Sequence, residues 1–182
     1  DGAKALIDEL HSALDPKAYR KAVALLAESE FIDIFGVENS LTPAMDLFTK
    51  LGYLGLTCRL NTDAYLQQIG AGHLPHGAVA VAFSHSGSSA DTVKALRLAK
   101  SHGAKTIAIT NAIGAPLASW ADVTLLTGRD SHTIYGNAIF SRVADTALVD
   151  MLYMGVILSD YGRFSTALDE SGRMIRDRVF EN

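Results

Sequence analysis

The stretch Ala78-Val79-Ala80-Val81-Ala82-Phe83-Ser84-His85-Ser86-Gly87-Ser88-Ser89-Ala90-Asp91-Thr92-Val93 decides the architecture. An unbroken apolar run ends in a loop dense in hydroxyls, and apolar residues then recur at helical spacing (Val93, Leu96, Ala99). This is a strand, a loop and a crossover helix. A continuous apolar run of that length fits a strand covered by helices on both faces. Four similar runs flank it: Phe31 to Phe35, Leu56 to Leu60, Thr106 to Ile109 and Val123 to Leu126. Segments of helical period separate them: Pro43 to Tyr53, Asp63 to Ala71, Ala90 to His102, and about Tyr135 to Asp160. Two further helices, Ala3 to Ala13 and Pro16 to Ser29, precede the first run. Such alternation predicts an α/β fold, a doubly wound five-stranded parallel sheet flanked by helices. Gly103 reads as a helix C-terminal cap, and Pro16, Pro43 and Pro116 fall near helix starts.

The chain has 182 residues, of which 48% are hydrophobic and 20% charged, enough for one domain with a continuous core. No linker, repeat or low-complexity segment divides residues 1–182. A net charge of −4 leaves no electrostatic footprint for gripping DNA or RNA. The single cysteine, Cys58, excludes an intrachain disulfide, and with its apolar neighbours it reads as a buried thiol of a cytoplasmic protein. Apolar runs such as Ala78 to Phe83 are too short to span a membrane, and the first residues are unlike a signal peptide. The segment Ala138 to Leu158 is more apolar than one face against a sheet requires, which predicts a homodimer or tetramer.

Ligands of open parallel sheets bind beyond the carboxyl ends of the strands. There, Ser84, His85, Ser86, Gly87, Ser88 and Ser89 lie at a helix N-terminus, where unsatisfied N–H groups and the helix dipole favour an anion. Hydroxyls donate to phosphate oxygens without carrying charge, and Gly87 lets the backbone turn closely. The alternative is that Ser88 or Ser89 simply caps the helix.

The loop is similar to the S-x-S-G-x-[ST] signature of the sugar isomerase (SIS) family. The resemblance extends to Phe35-Gly36-Val37-Glu38-Asn39-Ser40, where the family usually has G-x-G-x-S, and to Ala104–Asn111, Pro116-Leu117-Ala118 and Ala121-Asp122-Val123. The stretches Ser141-Arg142-Val143 and Asp150-Met151-Leu152-Tyr153 resemble the closing helix of the SIS domain in RpiR-type bacterial transcription regulators. The resemblance runs from about Asp15 to Leu158. It implies flavodoxin-like topology and one phosphosugar-binding SIS domain over 1–182, binding a phosphorylated sugar or sugar acid without a cofactor. Ser40, Ser84, Ser86 and Ser89 then hold the phosphate, and His85 contributes its backbone, while its imidazole either points outward or packs or, if protonated, adds a charge-assisted contact. Glu38 departs from the family glycine. Either its carboxylate accepts from sugar hydroxyls beside Asn39, or it turns to solvent, since it repels a phosphate held close by.

The resemblance implies an effector domain of a regulator of carbohydrate metabolism, not an enzyme, contacting DNA only through a helix-turn-helix domain outside this chain. The opening at Asp1 rather than Met fits a domain of a longer polypeptide. Two rivals share the fold, a regulatory sugar-phosphate binder unconnected with DNA and a phosphosugar aldose–ketose isomerase. The isomerase needs a base, for which Glu38 and His132, in the loop Asp130-Ser131-His132 after the fifth run, are the candidates. His132 reads equally as a sugar-hydroxyl ligand or a surface residue. His73-Leu74-Pro75-His76 lacks the spacing of a metal pair, so no metal is expected. Lys94, Arg97 and Lys100 read as a solvated helix face, and Trp120 as packing.

Overall fold

The computed structural model describes residues 2–129 and 141–176. Among them the chain runs α1 (Gly2–Ala13), α2 (Pro16–Glu28), β1 (Ile32–Phe35), α3 (Leu41–Tyr53), β2 (Cys58–Leu60), α4 (Ala64–Ala71), β3 (Val79–Phe83), α5 (Ala90–Ser101), β4 (Lys105–Thr110), β5 (Val123–Leu126), α6 (Val143–Ser159) and α7 (Tyr161–Met174). Short 3-10 turns cover Glu38–Ser40 and Pro116–Trp120. The sheet is parallel throughout, in the order β2-β1-β3-β4-β5. The chain therefore leaves β1 toward one edge for β2 and returns to its other side for β3, placing the topological switch between β1 and β3.

The central strand β3 is apolar throughout but alternates in size, and that alternation, continued in β4, assigns the two layers. Val79, Val81, Phe83, Ile107 and Ile109 face a thick layer built by α1, α2, α3, α6 and α7. Ala80, Ala82 and Ala108 face the thinner layer of α4, α5 and the Pro116–Trp120 turn, packing against Ala95, Leu96, Ala99 and Leu117. Period two puts the small residues on one face, and the small side chains let α5 approach closely.

Local signals account for several boundaries. Asp15 accepts from the Lys17 and Ala18 N–H groups ahead of Pro16, so α2 begins with a side-chain cap and a proline. Gly103 N–H reaches Lys100 O and Ala104 N–H reaches Ala99 O, the paired bonds of a Schellman end for α5. Asp33, buried in β1, takes two hydrogen bonds from Arg59 on the neighbouring β2, at 2.6 and 3.0 Å. Burial pushes the Asp33 carboxyl up, while the Arg59 bonds and charge pull it back.

Three readings need correction. The closing helix α6 starts at Val143, with Ser141 and Arg142 outside it, and Ala138, Ile139 and Phe140 lie outside the described residues. A further amphipathic helix, α7, follows it and buries Phe164. The basic face of α5 is only partly solvated. Lys100 pairs with Asp122, and the Arg97 guanidinium lies 5.9 Å from the centre of the Trp120 ring, while Lys94 is exposed. Cys58 is half-buried, and burial lifts its thiol to about 12, so it stays protonated at neutral pH. His73 and His76 are both exposed.

Candidate ligand-binding site

The loops after β1 and β3 flank the switch point, and each is held by bonds that local sequence does not announce. Gln67, buried on α4, clamps Gly36 on both sides of its backbone: Nε2 donates to Gly36 O at 2.7 Å, and Gly36 N–H donates to Oε1 at 3.3 Å. The same Nε2 donates to Asn61 O at 2.8 Å, tying the first loop to the second. After β3, Ser84 N–H bonds to Ile109 O, while Asn111 N–H and Thr110 Oγ1 both donate to His85 O. Gly87 N–H closes back onto Ser84 O at 2.9 Å, and Leu117 N–H donates to Gly87 O at 2.9 Å. The serine loop is thus bolted to the end of β4 and to the 3-10 turn beyond it.

Between these loops lies a cavity of about 290 Å³ lined by Val37, Glu38, Asn39, Ser40, Ser84, His85, Ser86, Ser89 and Arg142. Three helices begin at its wall, because Ser40, Ser89 and Arg142 are the N-cap residues of α3, α5 and α6. None of the three caps its helix with its side chain. Ser89 Oγ instead lies 3.5 Å from Thr92 Oγ1. The capping alternative for the serine loop therefore fails in its simple form: Ser88 Oγ donates to Ser86 O and Ser89 leaves the first-turn N–H groups of α5 without a side-chain acceptor. Ser40 and Ser84 are both buried residues that line the cavity.

The cavity gathers Ser40, Ser84, His85, Ser86 and Ser89 with Glu38 and Asn39. Gly87 is buried behind it and shapes the turn, while Ser88 is exposed and faces a separate groove beside Lys94, Arg97 and Pro116. His132 lies outside the described residues. His85 is half-buried, with its ring Nε2 3.5 Å from Asn111 Nδ2. Glu38 is exposed and adopts φ 52°, a left-handed conformation costly for any residue with a Cβ. That is a physical reason for glycine at this position.

Sequence reasoning missed Arg142 as a site residue. Its side chain is 13% exposed, and its Nε and Nη1 lie out of solvent contact with no hydrogen-bond partner among the described residues. Among the described residues Asp145 offers the nearest carboxylate, at 3.9 Å from Nε, too far for a hydrogen bond. Burial pushes the Asp145 carboxyl up, opposed by its bond with Thr127 and the Arg142 charge. The stretch Ser141-Arg142-Val143 had marked the closing helix, but nothing local aims its guanidinium at the loops after β1 and β3, far earlier in the chain.

A family model for the SIS domain matches residues 25–155. The chain belongs to the SIS domain family. An uncharacterised HTH-type transcriptional regulator of Caldanaerobacter subterraneus is 30% identical over 98% of this chain and 64% of its own length. The HTH-type transcriptional regulator HexR of Escherichia coli is 28% identical over 100% of this chain and 62% of its own length. The chain spans between about half and two thirds of the curated relatives it matches. Vibrio vulnificus NanR, solved in complex with ManNAc-6P, superposes with a TM-score of 0.91 at 24% identity, covering 98% of this chain and 67% of that one. The sugar isomerase domain of an RpiR transcription factor from Sphaerobacter thermophilus gives 0.84 at 22% identity, covering 94% of each chain. At these identities the likeness establishes the SIS fold. No described helix is long and apolar enough to cross a membrane.

Proposed function

We propose that this SIS domain is the effector sensor of an RpiR-type transcription regulator and that it binds a phosphorylated sugar or sugar acid in the Ser40–Ser84–Ser86–Ser89 cavity. One observation carries the reading. Three helix N-termini without side-chain caps meet at a cavity lined by the buried serines Ser40 and Ser84 and by Ser86 and Ser89. Such a wall is short of acceptors, and a phosphate supplies several at once. The sugar then extends toward Asn39 and Glu38, which are exposed at the rim.

The regulatory role is supported by named relatives that are HTH-type regulators longer than this chain, and by a structural neighbour solved with ManNAc-6P. A DNA-binding domain elsewhere in the polypeptide would read the state of this one, in the cytoplasm. The exposed side of α6 offers the surface for a homodimer: Val143, Met151, Met154 and Leu158 recur at helical spacing, with Met154 and Leu158 49% and 68% exposed. Binding without turnover is part of this proposal. Isomerisation needs a base at the carbon-bound proton; of the two candidates Glu38 is exposed at the rim of the cavity, and His132 lies outside the described residues.

Calorimetry with phosphorylated pentoses, hexoses, amino sugars and sugar acids, each beside its unphosphorylated counterpart, tests the reading. Binding confined to phosphorylated members, weakened by Ser84→Ala and Ser86→Ala, is expected. Equal binding of a sugar with and without phosphate would refute the cradle. Solvent-deuterium exchange at C1 or C2 of a bound sugar phosphate, lost in Glu38→Gln, would replace the sensor with the isomerase.

A further inference from the structure

We infer that Arg142 is the charge-bearing ligand residue of this cavity: its guanidinium binds the phosphate that the serines of the β3–α5 loop cradle, joining the start of α6 to that loop through the ligand. The inference rests on the phosphate reading above and deepens it. The hydroxyls and helix N-termini on the described wall are neutral or only partly charged, whereas a sugar phosphate carries nearly two negative charges at neutral pH. Of the described residues that line the cavity, Glu38 carries a carboxylate and Arg142 alone is a fixed cation. A site that holds a dianion needs that charge answered.

Arg142 is placed to answer it. Burial has stripped Nε and Nη1 of water, and the protein returns no hydrogen bond to either among the described residues. The neighbouring carboxylate does not fill the gap, because Asp145 stands 3.9 Å from Nε, beyond hydrogen-bond reach. Buried guanidinium donors left open are costly, and planar forks of this kind match the oxygens of a phosphate. A purely structural arginine would show the opposite pattern, with its donors spent on backbone carbonyls or on a close carboxylate. Arg142 is also the residue at which α6 begins, with its carbonyl accepting from Thr146 N–H at 2.9 Å. A phosphate held between Arg142 and Ser84, Ser86 and Ser89 therefore ties α6 to α5.

Two measurements on the whole domain test this, with inorganic phosphate and N-acetylmannosamine 6-phosphate as probes. In calorimetry, Arg142→Gln is expected to weaken the tighter-binding probe at least about tenfold, the loss of hydrogen bonds to a charged group, with Arg142→Lys falling between it and the parent. In arginine side-chain ¹⁵N spectra of the parent domain, one Nε–H resonance, the one missing from Arg142→Lys, is expected to shift as the probe saturates. The spectrum needs no Gln variant, so misfolding of Arg142→Gln leaves the inference open to refutation. Parental affinity in Arg142→Gln, or an unmoved Arg142 resonance at saturation, while Ser84→Ala still weakens binding, overturns the arginine and leaves the serine cradle standing. Failure of the parent to bind either probe or any phosphorylated sugar overturns both.

Discussion

Replacing Gly87 by alanine tests whether the serine loop is held as described. Gly87 has φ +62°, and an added Cβ would collide with the Ala115 methyl and lie 2.8 Å from Thr110 Oγ1. Neither neighbour yields freely. Ala115 is buried, and Thr110 Oγ1 both donates to His85 O at 3.1 Å and accepts from Ala112 N–H at 3.2 Å. The left-handed backbone costs about 1–2 kcal/mol, overpacking adds about 1–3 kcal/mol, and the stiffer unfolded chain returns about 0.4–1 kcal/mol. The net expectation is a loss of about 1–4.6 kcal/mol, with the midpoints giving about 3, from a domain whose stability is of the order of 5–15 kcal/mol, so the variant still folds. Gly77 supplies the control: its φ is +78°, and a Cβ there meets nothing within 4 Å. Gly77→Ala carries the same backbone cost and the same unfolded-chain offset without the overpacking. In urea unfolding, followed by the midpoint at unchanged slope, the two variants are expected to differ by the overpacking cost of about 1–3 kcal/mol. Phosphate affinity is expected to fall only in Gly87→Ala, because Ser84 and Ser86 move with the turn. Equal losses in the two variants would show that Ala115 and Thr110 do not confine Gly87, and the description of the loop would be wrong.

Glu38→Gly removes a Cβ from a left-handed residue (φ 52°) and is expected to change stability by less than about 1 kcal/mol, since relief of strain opposes the freer unfolded chain. The same variant, having lost a carboxylate from the cavity rim, is expected to bind inorganic phosphate more tightly by calorimetry. Gly155→Ala drives a Cβ into Tyr19 Oη and to 2.7 Å from Val23 Cγ2, so a loss of about 1–3 kcal/mol is expected in thermal or urea unfolding. Burial raises the Asp145 pKa, so the folded chain holds that proton more tightly than the unfolded one. Its contribution is fully present below the ordinary carboxylate value near about 4 and is lost as pH rises through the higher folded value. Asp145→Asn does not titrate, so its stability relative to the parent is expected to improve from about pH 4 to about pH 7; a constant difference would refute the shift. Light scattering is expected to give a dimer at micromolar concentration, with Leu158→Glu and Met154→Glu shifting it toward monomer.

The sheet was legible because each β-α-β unit carries its own signal. Five apolar runs map onto five strands within about a residue or two, and Asp15 with Pro16 marks the start of α2 without outside help. The two faces were not read from the sequence: they lie in the size alternation of Val79 and Val81 with Ala80 and Ala82, which apolar character alone hides. Helix α6 was harder. Its apolar residues continue around the helix because α1, α2, α3 and α7 surround one side and Met151, Met154 and Leu158 occupy the other, so periodicity could not locate its first residue. Helix α7 carries the opposite pattern, a narrow apolar stripe in a polar segment, with Phe164 as its one fully buried side chain.

The site divides along the same line. Ser84, Ser86 and Ser89 sit within six residues of one another at the start of a helix, and such a cluster can be read locally because the loop that makes it is itself local. Ser40 joined them only because the strand order puts β1 beside β3, which follows from the fold rather than from spacing. Gln67 and Arg142 belong to neither class. One is a buried amide that clamps Gly36 from α4, and the other is a cation delivered from the start of α6; a glutamine or arginine on a helix reads as solvated until the packing is known. In both cases the informative feature is a polar group in a place where burial forces its bonds to be accounted for. Gln67 spends its bonds on Gly36 and Asn61, so it is a support for the loop. Arg142 leaves two donors unspent at a cavity wall, and that difference separates a residue that holds the site from one that waits for its ligand.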